Sequence, residues 1–102
     1  MDSWHQVATL EEIPLQGSRV VKSATADIAV FRTAKDDVYA IRDVCPHKGG
    51  PLSQRMVAGN EVTCPLHGMR ICLSDGRAVA PDEGCVNTYP VKVENGIVYL
   101  RI

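Results

Sequence analysis

Short runs in which apolar and polar residues alternate predict β-strands in the first half of the chain. Residues 4–10 alternate in this way, and 18–24, which follow Gly17, are expected to form a second strand. Residues 28–32 and 38–42 are rich in strand-forming side chains, and the polar segment 34–37 between them predicts a hairpin loop. The pattern favours antiparallel strands joined by short turns.

The clearest turn signal lies near the carboxyl terminus. Residues 91–94 and 97–102 have strand-forming patterns and flank Asn95-Gly96. Asn and Gly adopt positive φ at low cost, so this dipeptide is typical of a two-residue type I′ turn. We therefore expect a β-hairpin here.

The region between these strand groups, residues 44–84, differs from both. It contains three of the four cysteines, two of the three histidines and six of the eight glycines. Short strands are expected as two pairs joined by glycine-containing turns, namely 56–58 with 61–63 and 69–73 with 77–80. We interpret the region as a small subdomain inserted into a larger antiparallel sheet. The predicted fold class is all-β, with no amphipathic helix.

Composition and charge exclude several classes of partner. The 102 residues suit one domain (1–102), with 45% apolar and 23% charged residues. The net charge of −1 predicts no binding to nucleic acid or to an anionic membrane. No apolar run exceeds four residues, whereas about 18 span a bilayer, and the amino-terminal residues do not resemble a signal peptide. A cytoplasmic location is expected.

Two Cys-His pairs carry the clearest chemistry. Cys45 and His47 have the spacing C-x-H, and after sixteen residues Cys64 and His67 have the spacing C-x-x-H. Each pair lies next to proline and glycine and follows a predicted strand. Two loops could therefore present two ligands each to one metal centre.

The division of ligands between the loops distinguishes two candidate metals. Two thiolates and two imidazoles would satisfy tetrahedral zinc. Zinc motifs usually draw like ligands from each short segment, however, whereas one sulfur and one nitrogen from each loop suits a two-iron cluster. We expect a [2Fe–2S] cluster, with zinc as the alternative.

Both loops resemble the cluster-binding loops of Rieske iron–sulfur proteins. The similar segments are 45–53 (CPHKGGPLS) and 64–68 (CPLHG). The resemblance implies that Cys45 and Cys64 bind one iron through sulfur and that His47 and His67 bind the other through Nδ1. It also implies a Rieske-type antiparallel β-sandwich with an inserted cluster-binding subdomain at one end.

Membrane-bound respiratory Rieske proteins differ from this chain at four loop positions and carry a helical anchor. They have an extra cysteine in each loop, where this chain has Gly50 and Leu66, and a serine and a tyrosine where it has Met69 and Ile71. The side chains of Met69 and Ile71 donate no hydrogen bond to a cluster. The comparison predicts a reduction potential near the low end of the Rieske range, about −150 mV.

Beyond the loops, the chain resembles the small subunit of assimilatory NAD(P)H-dependent nitrite reductase. The similar segments are 4–21, 27–33, 81–85 and 89–91. The sequence has no nucleophile–base pattern, phosphate-binding loop or nucleotide fingerprint, so we expect no catalytic centre of its own. The resemblance implies that the chain is an electron carrier. Its partner would be a large subunit that holds FAD, a [4Fe–4S] centre and sirohaem and reduces nitrite to ammonium in nitrate assimilation. Gly68-Met69-Arg70 departs from that family, which has a bulkier polar-aromatic pair after the second histidine.

Two other functions stay open. A free-standing Rieske ferredoxin that donates electrons to a ring-hydroxylating dioxygenase would share the loops and the fold, and only the flanking resemblance favours the nitrite reductase subunit. A zinc-stabilised interaction module would be colourless and redox-inactive.

Four further residues are interpreted without a place in the ligand set. Cys72 and Cys85 are expected to pack as buried, reduced thiols. Lys48 is expected to be a solvated charge, with docking to an acidic redox partner as the alternative. Pro81 is expected in a third loop over the cluster.

Overall fold

Strands account for nearly all the regular structure in the part of the chain that the structure describes. The computed structural model describes residues 4–23, 26–44, 52–53, 57–63, 70–79 and 84–101. Within these ranges the other regular element is a 3₁₀ turn at Leu10–Glu12, and no helix is long and apolar enough to cross a bilayer. The all-β prediction is confirmed. The strands are β1 (Trp4–Thr9), β2 (Ser18–Lys22), β3 (Asp27–Arg32), β4 (Val38–Arg42), β5 (Val57–Ala58), β6 (Glu61–Thr63), β7 (Arg70–Cys72), β8 (Thr88–Tyr89), β9 (Val91–Glu94) and β10 (Ile97–Arg101).

The described strands form three antiparallel sheets. The first has the order β1-β10-β9, the second β2-β3-β4-β8 and the third β5-β6-β7. The prediction of one larger sheet around an insertion is therefore wrong, because β1 pairs with β10 from the other end of the chain and not with β2. The third sheet lies inside the predicted insertion, whose limits at about 44 and 84 stay a prediction.

The second sheet is the middle layer of the molecule, since both of its faces are covered. Ile28, Val30 and Ala40 pack with residues of the first sheet. Phe31 and Ile41, on the opposite face, pack with the third sheet. Burial on both faces explains why the centre of β3 is continuously apolar, a pattern more common in parallel sheets.

Turn chemistry sets the boundaries of both predicted hairpins. Asn95 and Gly96 have φ values of 52° and 75°, as a type I′ turn requires, and they join β9 to β10. In the loop between β3 and β4, Asp36 has a φ of 66°, and the N–H of Thr33 donates to the carbonyl of Asp37 at 2.8 Å. Both hairpin predictions are confirmed.

Two details of the strand prediction differ from the structure. Of the expected strand at 77–80, the structure describes residues 77–79, and these form single bridges, from Arg77 to Cys85 and from Ala78 to Ile71. β8, which pairs with β4, has no counterpart in the prediction. Its two residues carry too short a pattern to be recognised, and Pro90 separates them from β9.

The 3₁₀ turn is tied to the second sheet by Arg32. The guanidinium of Arg32 donates to the carbonyl oxygens of Leu10, at 3.2 Å, and Ile13, at 3.0 Å. Within the turn, the pKa of Glu12 is held below its usual range, chiefly because its carboxylate accepts a hydrogen bond from the backbone N–H of Thr9. These contacts fix the chain where it passes from the first sheet to the second.

Candidate metal centre

The four predicted ligands, Cys45, His47, Cys64 and His67, lie outside the described residues, which omit 45–51 of the first predicted loop and 64–69 of the second. Other residues singled out from the sequence that lie outside them are Lys48, Met69 and Pro81. The ligand assignment therefore stays a prediction. What the structure describes are the strands and contacts from which both loops extend.

The residues next to the two loops belong to one buried cluster. Leu52 borders the first loop, and Val62 and Ile71 lie in the strands on either side of the second; all three are fully buried. They pack together between the second and third sheets. The bases of both loops are therefore fixed in the same packed layer, as a shared metal centre requires.

The second ligand loop is the connection of a β-hairpin. Thr63 at the end of β6 is the register partner of Arg70 at the start of β7, and residues 64–69 join them. Antiparallel partners lie about 4.5–5.5 Å apart between Cα atoms. Arg70 Nη1 also lies 3.5 Å from Glu61 Oε1 in a partly exposed ion pair. Strand pairing therefore fixes both ends of the loop that contains Cys64 and His67.

The first ligand loop is fastened by side-chain hydrogen bonds. The Asp43 carboxylate accepts one bond from the backbone N–H of Ser53 and another from its hydroxyl, both at 2.8 Å. The carbonyl of Ser53 in turn accepts a hydrogen bond from the Ser18 hydroxyl, on β2. Asp43, which precedes the first ligand pair, is thus hydrogen-bonded to Ser53, which follows it.

The third sheet is braced by the segment that precedes β2. The carbonyl of Gln16 accepts from the N–H of Val57 at 2.9 Å, and Gln16 Nε2 donates to the carbonyl of Val57 at 3.3 Å. Gln16 has a φ of 59°, in the left-handed region that costs a non-glycine residue about 1–2 kcal/mol. These bonds offset that cost and hold β5 against the second sheet.

The donor set and its supports fit an iron–sulfur cluster. Two cysteines and two histidines are divided equally between two loops, and the loops rise from one packed layer, as described above. Among the residues that the structure describes, no three His, Cys, Asp or Glu side chains come together as a metal site. By their spacing, Cys45, His47, Cys64 and His67 stay the residues predicted to hold a metal group.

Comparison with known proteins identifies the family. A model of the Rieske-like [2Fe–2S] domain matches residues 3–101, nearly the whole chain. The chain belongs to this family. The Rieske prediction from the two loops is confirmed, and with it the [2Fe–2S] cluster and a role in electron transfer.

Relatives of this Rieske protein belong to two kinds of enzyme system. The 3-phenylpropionate/cinnamic acid dioxygenase ferredoxin subunit of Photorhabdus laumondii is 37% identical over 94% of this chain and 91% of its own length. The nitrite reductase [NAD(P)H] large subunit of Klebsiella oxytoca is also 37% identical over 95% of this chain, which spans 11% of that protein. The NMR structure of the E. coli protein NirD has a TM-score of 0.86 at 27% identity and covers 100% of this chain and 98% of its own.

The side chain at position 71 supports a low reduction potential for the Rieske cluster. Ile71 is fully buried in the cluster of apolar residues below the loops and has no polar atom to donate. Hydrogen bonds to a cluster stabilise its reduced state, so fewer donors lower the potential.

We expect a potential of about −150 mV, the low end of the Rieske range, in protein-film voltammetry of the full chain at neutral pH. A value near the upper end, about +300 mV, would contradict this expectation. Such a value would mean that other donors compensate for Met69 and Ile71.

The prediction of buried packing for both remaining cysteines is wrong for Cys85. Cys72 is half-buried in β7, with its Sγ 3.1 Å from the Ser74 hydroxyl oxygen, but Cys85 is exposed because its bridge to Arg77 lies at the surface. Both thiols are free. Arg77 pairs with Cys72 on one side and Cys85 on the other. Two strand spacings, about 10 Å, separate these cysteines, and disulfides need Cα atoms within about 7 Å.

Proposed function

We propose that this chain is the electron-transferring small subunit of NAD(P)H-dependent nitrite reductase, which reduces nitrite to ammonium in nitrate assimilation. One observation carries the proposal. In Klebsiella oxytoca, a segment 37% identical to 95% of this chain belongs to the same polypeptide as a nitrite reductase large subunit. A domain that is covalently joined to its partner in one organism can bind the equivalent partner as a separate chain in another.

The cluster ligands in this proposal are the four residues of the two loops. Cys45 and Cys64 would bind one iron, and His47 and His67 the other. The common buried base of the loops, formed by Leu52, Val62 and Ile71, supports this assignment. Neutral imidazoles leave their iron less negative than thiolates do, so the added electron resides on the histidine-bound iron.

The partner in this proposal is a large subunit that holds FAD, a [4Fe–4S] centre and sirohaem, as the family resemblance implies. The choice between NADH and NADPH, and the reduction of nitrite itself, belong to that subunit. The two free thiols, Cys72 and the exposed Cys85, support a reducing compartment, and a cytoplasmic location is part of the proposal.

A second candidate is a free-standing ferredoxin of a ring-hydroxylating dioxygenase. The Photorhabdus laumondii ferredoxin subunit favours it, because its 37% identity extends over 91% of that protein, so the two chains correspond almost end to end. Both candidates transfer electrons through the same kind of cluster. They differ in the partner that receives the electrons.

Affinity purification of the tagged full chain from nitrate-grown cells tests the choice of partner. We expect a stoichiometric sirohaem protein, recognised by its absorption spectrum, and nitrite-dependent NAD(P)H oxidation by the recovered complex. Cells grown on ammonium provide the control. Recovery of an oxygenase, with no nitrite-dependent activity, would overturn the nitrite reductase assignment in favour of the ferredoxin.

A further inference from the structure

The first ligand loop is closed by a carboxylate that the ligand motif does not include. We propose that Asp43 is a positioning residue for the [2Fe–2S] cluster: its carboxylate holds Ser53 and thereby fixes the chain on both sides of the first predicted ligand pair. The inference rests on the proposed assignment of Cys45 and His47 as ligands within that loop.

Asp43 is itself fixed to the second sheet. It directly follows β4, and its backbone N–H donates to the carbonyl of Asp27, at the start of β3, at 2.9 Å. The side chain is therefore presented from the end of a paired strand. A carboxylate placed in this way can restrain a loop because its own backbone does not move with that loop.

Ser53 is held from two directions. Its N–H and hydroxyl both donate to the Asp43 carboxylate at 2.8 Å, and its carbonyl accepts from Ser18 on β2. Leu52, the preceding residue, is fully buried. Hydrogen bonds to an ionised acceptor are stronger than neutral ones. The loop therefore begins and ends on fixed residues, which lowers the entropy that it must lose when it binds the cluster.

The charge of Asp43 has an effect separate from its hydrogen bonds. Asp43 precedes Cys45 by two residues, which span at most about 7 Å. The Asp43 carboxylate is therefore near the first ligand pair in the chain, and its negative charge opposes the addition of an electron to the cluster because like charges repel. Removal of the charge should raise the reduction potential, whereas a purely structural role predicts no defined sign.

Cluster loss in the presence of an iron chelator tests the positioning role. The full, cluster-loaded chain is compared with Asp43→Asn and Ser53→Ala, and visible absorbance is followed over time. We expect Asp43→Asn to bleach about tenfold faster, and Ser53→Ala, which retains the backbone donor, less than tenfold faster. The double variant should bleach no faster than the product of the single effects. Asp37→Asn, which removes an exposed carboxylate from the β3–β4 loop, is the matched control and should bleach at the wild-type rate.

The sign of the potential shift gives the second readout. Asp43→Asn should raise the midpoint potential, Ser53→Ala should leave it unchanged or lower it, and Asp37→Asn should leave it unchanged.

Wild-type bleaching rates in both Asp43→Asn and Ser53→Ala would overturn the proposal, as would equal shifts of potential in Asp43→Asn and Asp37→Asn. An Asp43→Asn protein isolated without cluster but with wild-type circular dichroism would support it, and Ser53→Ala then supplies the rate and the potential. None of these results depends on the partner, so a failed recovery of the sirohaem protein leaves this test intact.

Discussion

Replacement of Cys64 by serine should abolish the cluster, so that the purified chain is colourless and gives no signal in low-temperature electron paramagnetic resonance after reduction with dithionite. The wild type should give a Rieske spectrum with an average g value below the free-electron value. A thiolate is the ligand that iron requires at this position, and a serine hydroxyl stays protonated at neutral pH. The same loss is expected for His67→Ala.

Two free cysteines of the chain provide matched controls for this experiment. Cys72→Ser and Cys85→Ser each remove a thiol that no predicted ligand pair includes, and both variants should keep the wild-type spectrum and iron content. A full Rieske signal from Cys64→Ser would refute the ligand assignment. A colourless wild-type protein with one zinc and no iron would refute the cluster itself.

Gly76→Ala should destabilise the fold by about 3 kcal/mol or more, as measured by urea unfolding followed by circular dichroism. Gly76 is buried, has a φ of +75°, and its added Cβ would lie 2.3 Å from the carbonyl oxygen of Val86 and 2.9 Å from Thr88 Cγ2. Val86 cannot retreat easily, because its own N–H donates to the carbonyl of Gly76 at 2.8 Å. The substitution combines backbone strain with overpacking.

Gly96→Ala separates these two causes. Gly96 has the same φ of +75°, but no atom lies within 4 Å of its added Cβ. Its substitution should cost only the backbone strain, about 1 kcal/mol. Equal destabilisation by the two substitutions would show that the contact with Val86 has no energetic weight.

Local signals predicted the strands and hairpins well, because the side chains that specify them are close in sequence. Asn95-Gly96 determines a turn by its own backbone preferences, and the strand-forming side chains of residues 38–42 gave the bounds of β4. Pairing between distant segments was not predictable in this way. β8 forms because Thr88 and Tyr89 pair with the edge of β4. β1 pairs with β10 although the two strands lie at opposite ends of the sequence.

The same distinction between local signals and distant contacts applies to the candidate site. Spacing alone identified the two loops, since ligand chemistry restricts residue type and order. Their supports depend on contacts between distant residues: Asp43 with Ser53 is ten positions apart, and Gln16 with Val57 is forty-one. Asp, Ser and Gln at these places are unremarkable in sequence. Only the fold shows that Gln16 holds the third sheet and that Asp43 and Ser53 hold the first ligand loop.

Because β3 lies in the middle layer, its side chains pack against both of the other sheets. Phe31 is covered by the third sheet and its neighbour Val30 by the first. Detachment of the small third sheet would expose the aromatic side chain of Phe31 to water, while the opposite face of β3 would still be packed against the first sheet. The hydrophobic effect therefore penalises separation of the third sheet, which supports both ligand loops, and couples the stability of these supports to that of the whole core.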